Sequence, residues 1–194
     1  MHNRGKYVVL AIFSVALVMA AFAWWWNRGA GERSLRFWGT ELALVIRDAP
    51  QVEILEVLPE GAVPKVGGGT VTVQKPNATP FWFQLDVAND ISNAPGLVHA
   101  RHSLLEDRSF SWAADPPISQ ERQKRPSYTY AVRFVDESGG TVTLLFDFRD
   151  DRIYCVENQD SIRMSSKARS GWLSYVRRNR AALQPKKGGA PEPE

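Results

Sequence analysis

Cysteine is almost missing from this chain. Cys155 is the single one among 194 residues, so no disulfide can form within the chain and stability must come from a packed core. Histidine is nearly as scarce, with His2, His99 and His102 the three present. An imidazole-based metal centre in the body of the chain therefore has one pair of ligands to draw on. There is no Walker loop, no dinucleotide fingerprint, no nucleophile elbow, no CxxC pair and no internal repeat. The sequence marks of the common nucleotide-binding, hydrolase and thiol-redox classes are thus lacking. Charge is missing in two stretches. No acidic residue occurs between Ser161 and Ala190, and no charged residue of either sign from Tyr7 to Trp26.

The uncharged run YVVLAIFSVALVMAAFAWWW, residues 7–26, has the length of a helix spanning the roughly 30 Å hydrocarbon layer. Arg4 and Lys6 precede it, Arg28 follows it, and Trp24, Trp25 and Trp26 suit the membrane–water boundary. A cleaved signal peptide with Ala21-Phe22-Ala23 as the cut is the competing reading. The run is longer than a usual signal core, and the cut would leave three tryptophans opening the mature chain. The sequence therefore predicts a single-pass protein of a bacterial cytoplasmic membrane: a cytoplasmic tail (1–6), a transmembrane anchor (7–26), one extracytoplasmic domain (34–183) and a disordered tail (184–194).

What is present is ordinary for a globular domain: 44% hydrophobic and 23% charged residues, with seven tryptophans and nine phenylalanines to fill a core. Ser34 is placed to cap a helix running to about Ala49, with Trp38, Leu42, Val45, Ile46 and Ala49 on its inner side. VEILEVL and TVTV read as strands, separated by the loop EGAVPKVGGG. In FWFQLDVA, Phe81, Phe83, Leu85 and Val87 share one side. A helix follows Pro95-Gly96, and residues 115–126 read as an exposed loop. YTYAVRFV, TVTLLFDF and RIYCVE then alternate about two turns. Pairing Phe134 with Val142 and Phe148 with Ile153 sorts ten side chains from Tyr128 to Cys155 onto one face, where a one-residue slip would invert them all. Thr129, Arg133, Thr143, Asp147 and Tyr154 fall on the other, partly wet face. Ser165 or Ser166 caps a last helix with Ala168, Trp172, Tyr175 and Val176 inward. The predicted fold is α+β: an N-terminal transmembrane helix, then a mostly antiparallel sheet ending in a three-stranded meander, with about three helices on one face.

The stretch GLVHARHSLLEDRSFSW (96–112) holds the best chemical candidates. On a helical wheel Leu97, Val98, Leu104 and Leu105 make an apolar stripe, while His99, His102 and Glu106 fall together beside it. Two imidazoles and a carboxylate can hold a divalent ion and leave a position for water. The spacing departs from the helical zinc-hydrolase pattern, however, and Arg101 puts a cation next to the cluster. The plainer reading is a helix surface with His102 and Glu106 as an i,i+4 pair. Arg101 lies in the middle of the apolar stripe. It must snorkel or meet a carboxylate, with Asp86, Asp90 and Asp147 as candidate partners, or else serve as an anion-binding arginine at a cleft edge. Asp86 and Asp147 could also form an acid/base pair, but both sit on the wetter side of their strands, where aspartate is expected. Asn77-Ala78-Thr79 matches a glycosylation sequon.

Three segments, GLVHARHSLLEDRSFSW, TVTLLFDF and SSKARSGWLSYVRRN, together resemble a group of short, uncharacterised, membrane-anchored proteins of planctomycete-type bacteria. In that group a GLVH-RH-LLED-SF-W core precedes a strand pair and a closing helix. The likeness covers most of the chain after residue 34 and implies no activity and no site residue.

The expected function is a non-catalytic binding or scaffold domain whose partner is a cell-envelope protein or a small anionic ligand, with no cofactor and no nucleic acid. The alternatives are a metal-dependent hydrolase using His99, His102 and Glu106, and a polyanion- or lipid-surface binder. The last would use the basic patch of Lys167, Arg169, Arg177, Arg178 and Arg180, with Lys186 and Lys187 beyond it. A solvated helix face is the plainer reading of that patch.

Overall fold

The structure is a computed structural model. It describes residues 4–28, 31–59, 69–73, 80–112 and 127–181. The loops expected at 60–69 and 115–126 fall wholly or mainly outside these residues, as do the Asn77 sequon and the tail expected at 184–194.

Among the described residues the fold is α+β. A first helix, α1 (Arg4–Arg28), precedes α2 (Glu32–Asp48), and strands β1 (Gln51–Val57), β2 (Gly69–Val73) and β3 (Phe81–Asp90) follow. Then come α3 (Leu97–Leu105), a 3-10 turn (Asp107–Ser109) and β4 (Phe110–Ser111). Strands β5 (Tyr130–Val135), β6 (Thr141–Asp147), β7 (Arg152–Cys155) and β8 (Asp160–Met164) lead to α4 (Ser166–Ala181). All eight strands join one sheet in the order β2-β3-β1-β5-β6-β7-β8-β4, and every pairing is antiparallel.

The expectation of a transmembrane anchor over 7–26 is corrected here. Among the described residues no helix is long and apolar enough to cross a membrane. With the anchor go the single-pass topology and the placement of the domain outside a cytoplasmic membrane, both of which depended on it.

The meander is also longer than its sequence implies, with four strands, β5 to β8, rather than three. Phe134 pairs with Val142 as the alternation predicts. Ile153 pairs with Phe146 rather than Phe148. The displacement is two residues, so parity is kept and the same side chains face inward. Asp147 sets the wider turn, accepting the N–H groups of Arg149 (2.9 Å) and Asp150 (3.1 Å).

The inward face carries the main core, in which Ile54, Val132, Phe134, Leu144, Phe146 and Ile153 are fully buried. Helices α2, α3 and α4 cover it through Trp38, Ile46, Leu104, Trp172 and Val176. Phe146 sits at the centre, its ring 5.6 Å from Phe148 and 4.9 Å from Trp172. Removal of such a ring costs about 3–5 kcal/mol.

The opposite face is not wet, as alternation alone suggests. Leu55, Val73, Phe83, Leu85, Ala131, Leu145 and Tyr154 form a second buried cluster. Tyr128 belongs there rather than on the first face, with its ring 5.1 Å from Phe83 and 6.2 Å from Tyr154. Those two partners lie on β3 and β7, four strand steps apart, or about 19 Å in a flat sheet. The sheet must curl for one ring to reach both. A register shift between Ile54 and Leu55 against β3 is the sort of bulge that adds twist and bends a strand.

Candidate functional site

The stretch 96–112 lies along α2 and holds it at both ends. At the start of α2 the N-cap residue is Gly31, which has no side chain to offer. Asp107, from the 3-10 turn, supplies the missing acceptor. Its Oδ1 accepts the Ser34 N–H (2.7 Å) and hydroxyl (2.8 Å), and its Oδ2 accepts the Arg33 N–H (3.3 Å). These are the second and third N–H groups of the helix, the ones a local N-cap side chain would take, and the carboxylate also faces the positive end of the helix dipole. Burial pushes the Asp107 carboxyl up, but the bonds from Ser34 and Arg33 outweigh it and hold the group below its ordinary value. Ser34 is fully buried inside α2, which corrects its expected role as the capping residue.

At the far end Arg101 donates to the Arg47 carbonyl (2.8 Å) and the Ala49 carbonyl (2.5 Å). A guanidinium there satisfies two acceptors that a helix C-terminus leaves open and meets the negative end of its dipole. Desolvation lowers the Arg101 pKa, against the pull of Asp48, and the group stacks 5.9 Å from the Phe134 ring. Between the two clamps the Trp38 indole donates to the Leu104 carbonyl at 2.6 Å. In turn Ser103 receives the Trp172 indole N–H at 3.0 Å, which ties α3 to α4. Gly39 has φ 73° inside α2, a kink that only glycine adopts without strain, one residue after Trp38.

The chemical candidates in the stretch do not converge. His99 is exposed. His102 Nδ1 lies 2.8 Å from Glu106 Oε1, with the imidazole 71% exposed. Glu106 is held by Arg108, whose Nε (2.5 Å) and Nη2 (2.7 Å) both donate to it. That pairing, with a smaller pull from His102, keeps the Glu106 carboxyl below its ordinary range. Among the described residues no group of three or more His, Cys, Asp or Glu side chains is placed to hold a metal ion. Val98, expected on the apolar stripe, is 77% exposed.

Arg101 forms its bonds with backbone carbonyls, not with the aspartates proposed for it. Asp90 accepts the Ser92 N–H and hydroxyl. Asp147 is buried and accepts three backbone N–H groups, those of Ser127, Arg149 and Asp150. Asp86 stands opposite Glu56 on neighbouring strands. The Asp86/Asp147 acid/base pair is therefore split between strands on opposite sides of β1 and β5.

Three members of the basic patch are tied into the fold. Arg180 donates to Tyr130 Oη (2.8 Å) and to Glu56 (2.9 Å). Arg169 donates to the Phe148 carbonyl (2.9 Å) and pairs with Asp151. Arg178 lies over the Tyr175 ring. Lys167 and Arg177 are exposed.

One cluster is absent from the sequence-based candidates. Arg152 on β7 stands directly opposite Arg163 on β8, and both continue a row that runs from Asp147 on β6 to Ser111 on β4. Ile153, Ile162 and Met164 occupy the main core, so alternation puts the two arginines on the opposite face. The Arg163 Nε is buried and has no acceptor among the described residues. The signal was available in DSIRM, where Ile162 and Met164 alternate with Arg163, but two apolar residues in five are too few to mark a strand without its neighbour.

No family model, curated protein or solved structure matches this chain.

Proposed function

We propose that the chain is a non-catalytic binding module and that the 96–112 stretch is its internal brace. The observation that carries this reading is the engagement of the polar side chains in that stretch. Asp107 caps α2 at one end, Arg101 closes it at the other, and Glu106 is held by Arg108. A general acid, base or metal ligand needs a group aimed into a cleft beside a second reacting group, and here Asp107 and Arg101 are aimed at backbone and Glu106 at the Arg108 guanidinium. The binding function then falls to surfaces away from the brace, and a small anionic ligand is the partner class an arginine-rich surface suits. An envelope protein partner has no comparable support.

The test is metal content. The full chain, purified without a histidine tag, is assayed for zinc, manganese and iron beside a His99→Ala, His102→Ala variant. Both are expected to be free of stoichiometric metal. Stoichiometric metal that disappears in the double variant would overturn the reading in favour of the hydrolase.

A further inference from the structure

We infer that the N-terminus of α3, where Tyr175 and Arg178 of α4 meet Gly96, is a binding site for a carboxylate group. The inference rests on the binding-module reading above and adds to it a location and a ligand class.

Helix α3 starts from Gly96, a left-handed N-cap with φ 85° that offers no side-chain acceptor. The Leu97 N–H reaches the Ala94 carbonyl. The next two N–H groups, of Val98 and His99, lie in the first turn, where a helix has no acceptor of its own, and they carry the positive end of the dipole. The Tyr175 hydroxyl sets this end apart. Tyr175 is 7% exposed, and its Oη has no hydrogen-bond partner among the described residues. Its ring packs in the main core, 5.8 Å from Trp172, a place that phenylalanine would fill without stranding a donor. The same ring borders Gly96: a Cβ added there would lie 3.7 Å from Tyr175 Cε2 and 3.6 Å from Arg178 Nη2. The missing side chain leaves that point, between phenol, guanidinium and helix end, unfilled.

The groups gathered there are donors. Arg178 is exposed and loosely held, 5.7 Å above the Tyr175 ring and 3.5 Å from the Pro95 carbonyl, the far limit of a hydrogen bond. Swinging it outward uncovers the hydroxyl. The Arg101 Nε is buried without an acceptor among the described residues. Burial raises the Tyr175 pKa, and the charges of Arg178 and Arg101 pull against it, so both cations act on the phenol. Acids close in sequence are engaged elsewhere: Asp48 pairs with Arg47, and Asp90 accepts the Ser92 N–H and hydroxyl. Arg101 is committed to two carbonyls, which leaves the Arg178 fork to meet the ligand. One fork matches the two oxygens and single charge of a carboxylate, whereas the double charge of a phosphate calls for a second.

The experiment is thermal unfolding of the full chain at pH 7 in rising sodium acetate, with sodium chloride and sodium phosphate at matched ionic strength beside it. Wild type is expected to shift saturably upward in acetate, by roughly 3–6 °C at a tenfold excess over Kd. Tyr175→Phe keeps the core ring and removes the stranded donor. In chloride it is expected to be as stable as wild type or more so, and its response to acetate several-fold weaker. Arg178→Gln, a change at an exposed position, is expected to lose the acetate shift while its Tm in chloride stays near that of wild type. No saturable shift in wild type, an equal one in chloride, or an undiminished one in Arg178→Gln would overturn the proposal. A stronger response to phosphate would overturn the carboxylate assignment. A Tyr175→Phe variant destabilised in chloride would also overturn it, since the hydroxyl would then be satisfied inside the fold by a buried water. Each of these failures leaves the metal assay of the binding-module reading standing, so the two can fail separately.

Discussion

Replacing Arg101 with methionine separates the two meanings an arginine can have in this motif. The guanidinium donates to the Arg47 and Ala49 carbonyls at 2.8 and 2.5 Å and lies over Phe134. Each charge-assisted bond contributes about 1.5–3 kcal/mol gross, and the ring contact adds about 0.5–1 kcal/mol. Against this stand the ordering of a long side chain, about 2 kcal/mol, and the desolvation of its charge. Methionine relieves both costs and preserves the apolar stem. It leaves the Ala49 carbonyl, on a residue that is 2% exposed, without its donor. The net loss for Arg101→Met is then about 2 kcal/mol, or a fall in Tm of roughly 4–8 °C for a domain of this size. Arg101→Lys retains charge but cannot bridge two carbonyls with one ammonium, and is expected to lose about half as much. Urea unfolding followed by tryptophan fluorescence gives the ordering directly. A methionine variant as stable as wild type would refute the bracing role.

Two further outcomes follow from titrating groups. The Cys155 thiol is buried, which is the main reason its pKa is pushed up to about 12, so alkylation at pH 8 should be negligible in the native protein and rapid in denaturant; fast native labelling would contradict the packing of β7. Asp107 has a folded pKa below its unfolded one, so its contribution to stability is full above the unfolded value near pH 4 and is lost as pH falls through the folded value. Asp107→Asn should accordingly flatten the acid limb of the stability curve, and an unchanged limb would count against the cap.

Much of this architecture can be read along the chain, and the misses have physical causes. Trp38 and Ile46 on α2, Ala49 just past its end, and Trp172, Tyr175 and Val176 on α4 are buried where helical spacing puts them. The Phe134–Val142 pairing follows from alternation, because only one register buries both strands. The second core does not follow, since curl is a property of the whole sheet and Tyr128 reveals it only by touching both Phe83 and Tyr154. Strand β8 escaped because DSIRM is polar and gains its place by pairing with β7. At the site, the His102–Glu106 contact is local and was visible at i,i+4 spacing. The Asp107 cap joins residues 73 positions apart, and no local pattern announces it. The apolar run of α1 shows the reverse error: hydropathy suggested a span, but no helix among the described residues is long and apolar enough to cross a membrane.

The most direct measurement compares the unfolding free energies of Asp107→Ala and of the His99→Ala, His102→Ala double variant. Asp107→Ala removes the acceptor for the Arg33 and Ser34 N–H groups and strands the fully buried Ser34 hydroxyl. It is expected to lose about 2–3 kcal/mol. The double variant gives up one exposed i,i+4 pair and is expected to lose about 0.5 kcal/mol or less. A large loss in the histidine variant with Asp107→Ala near wild type would contradict the brace and return the stretch to chemistry.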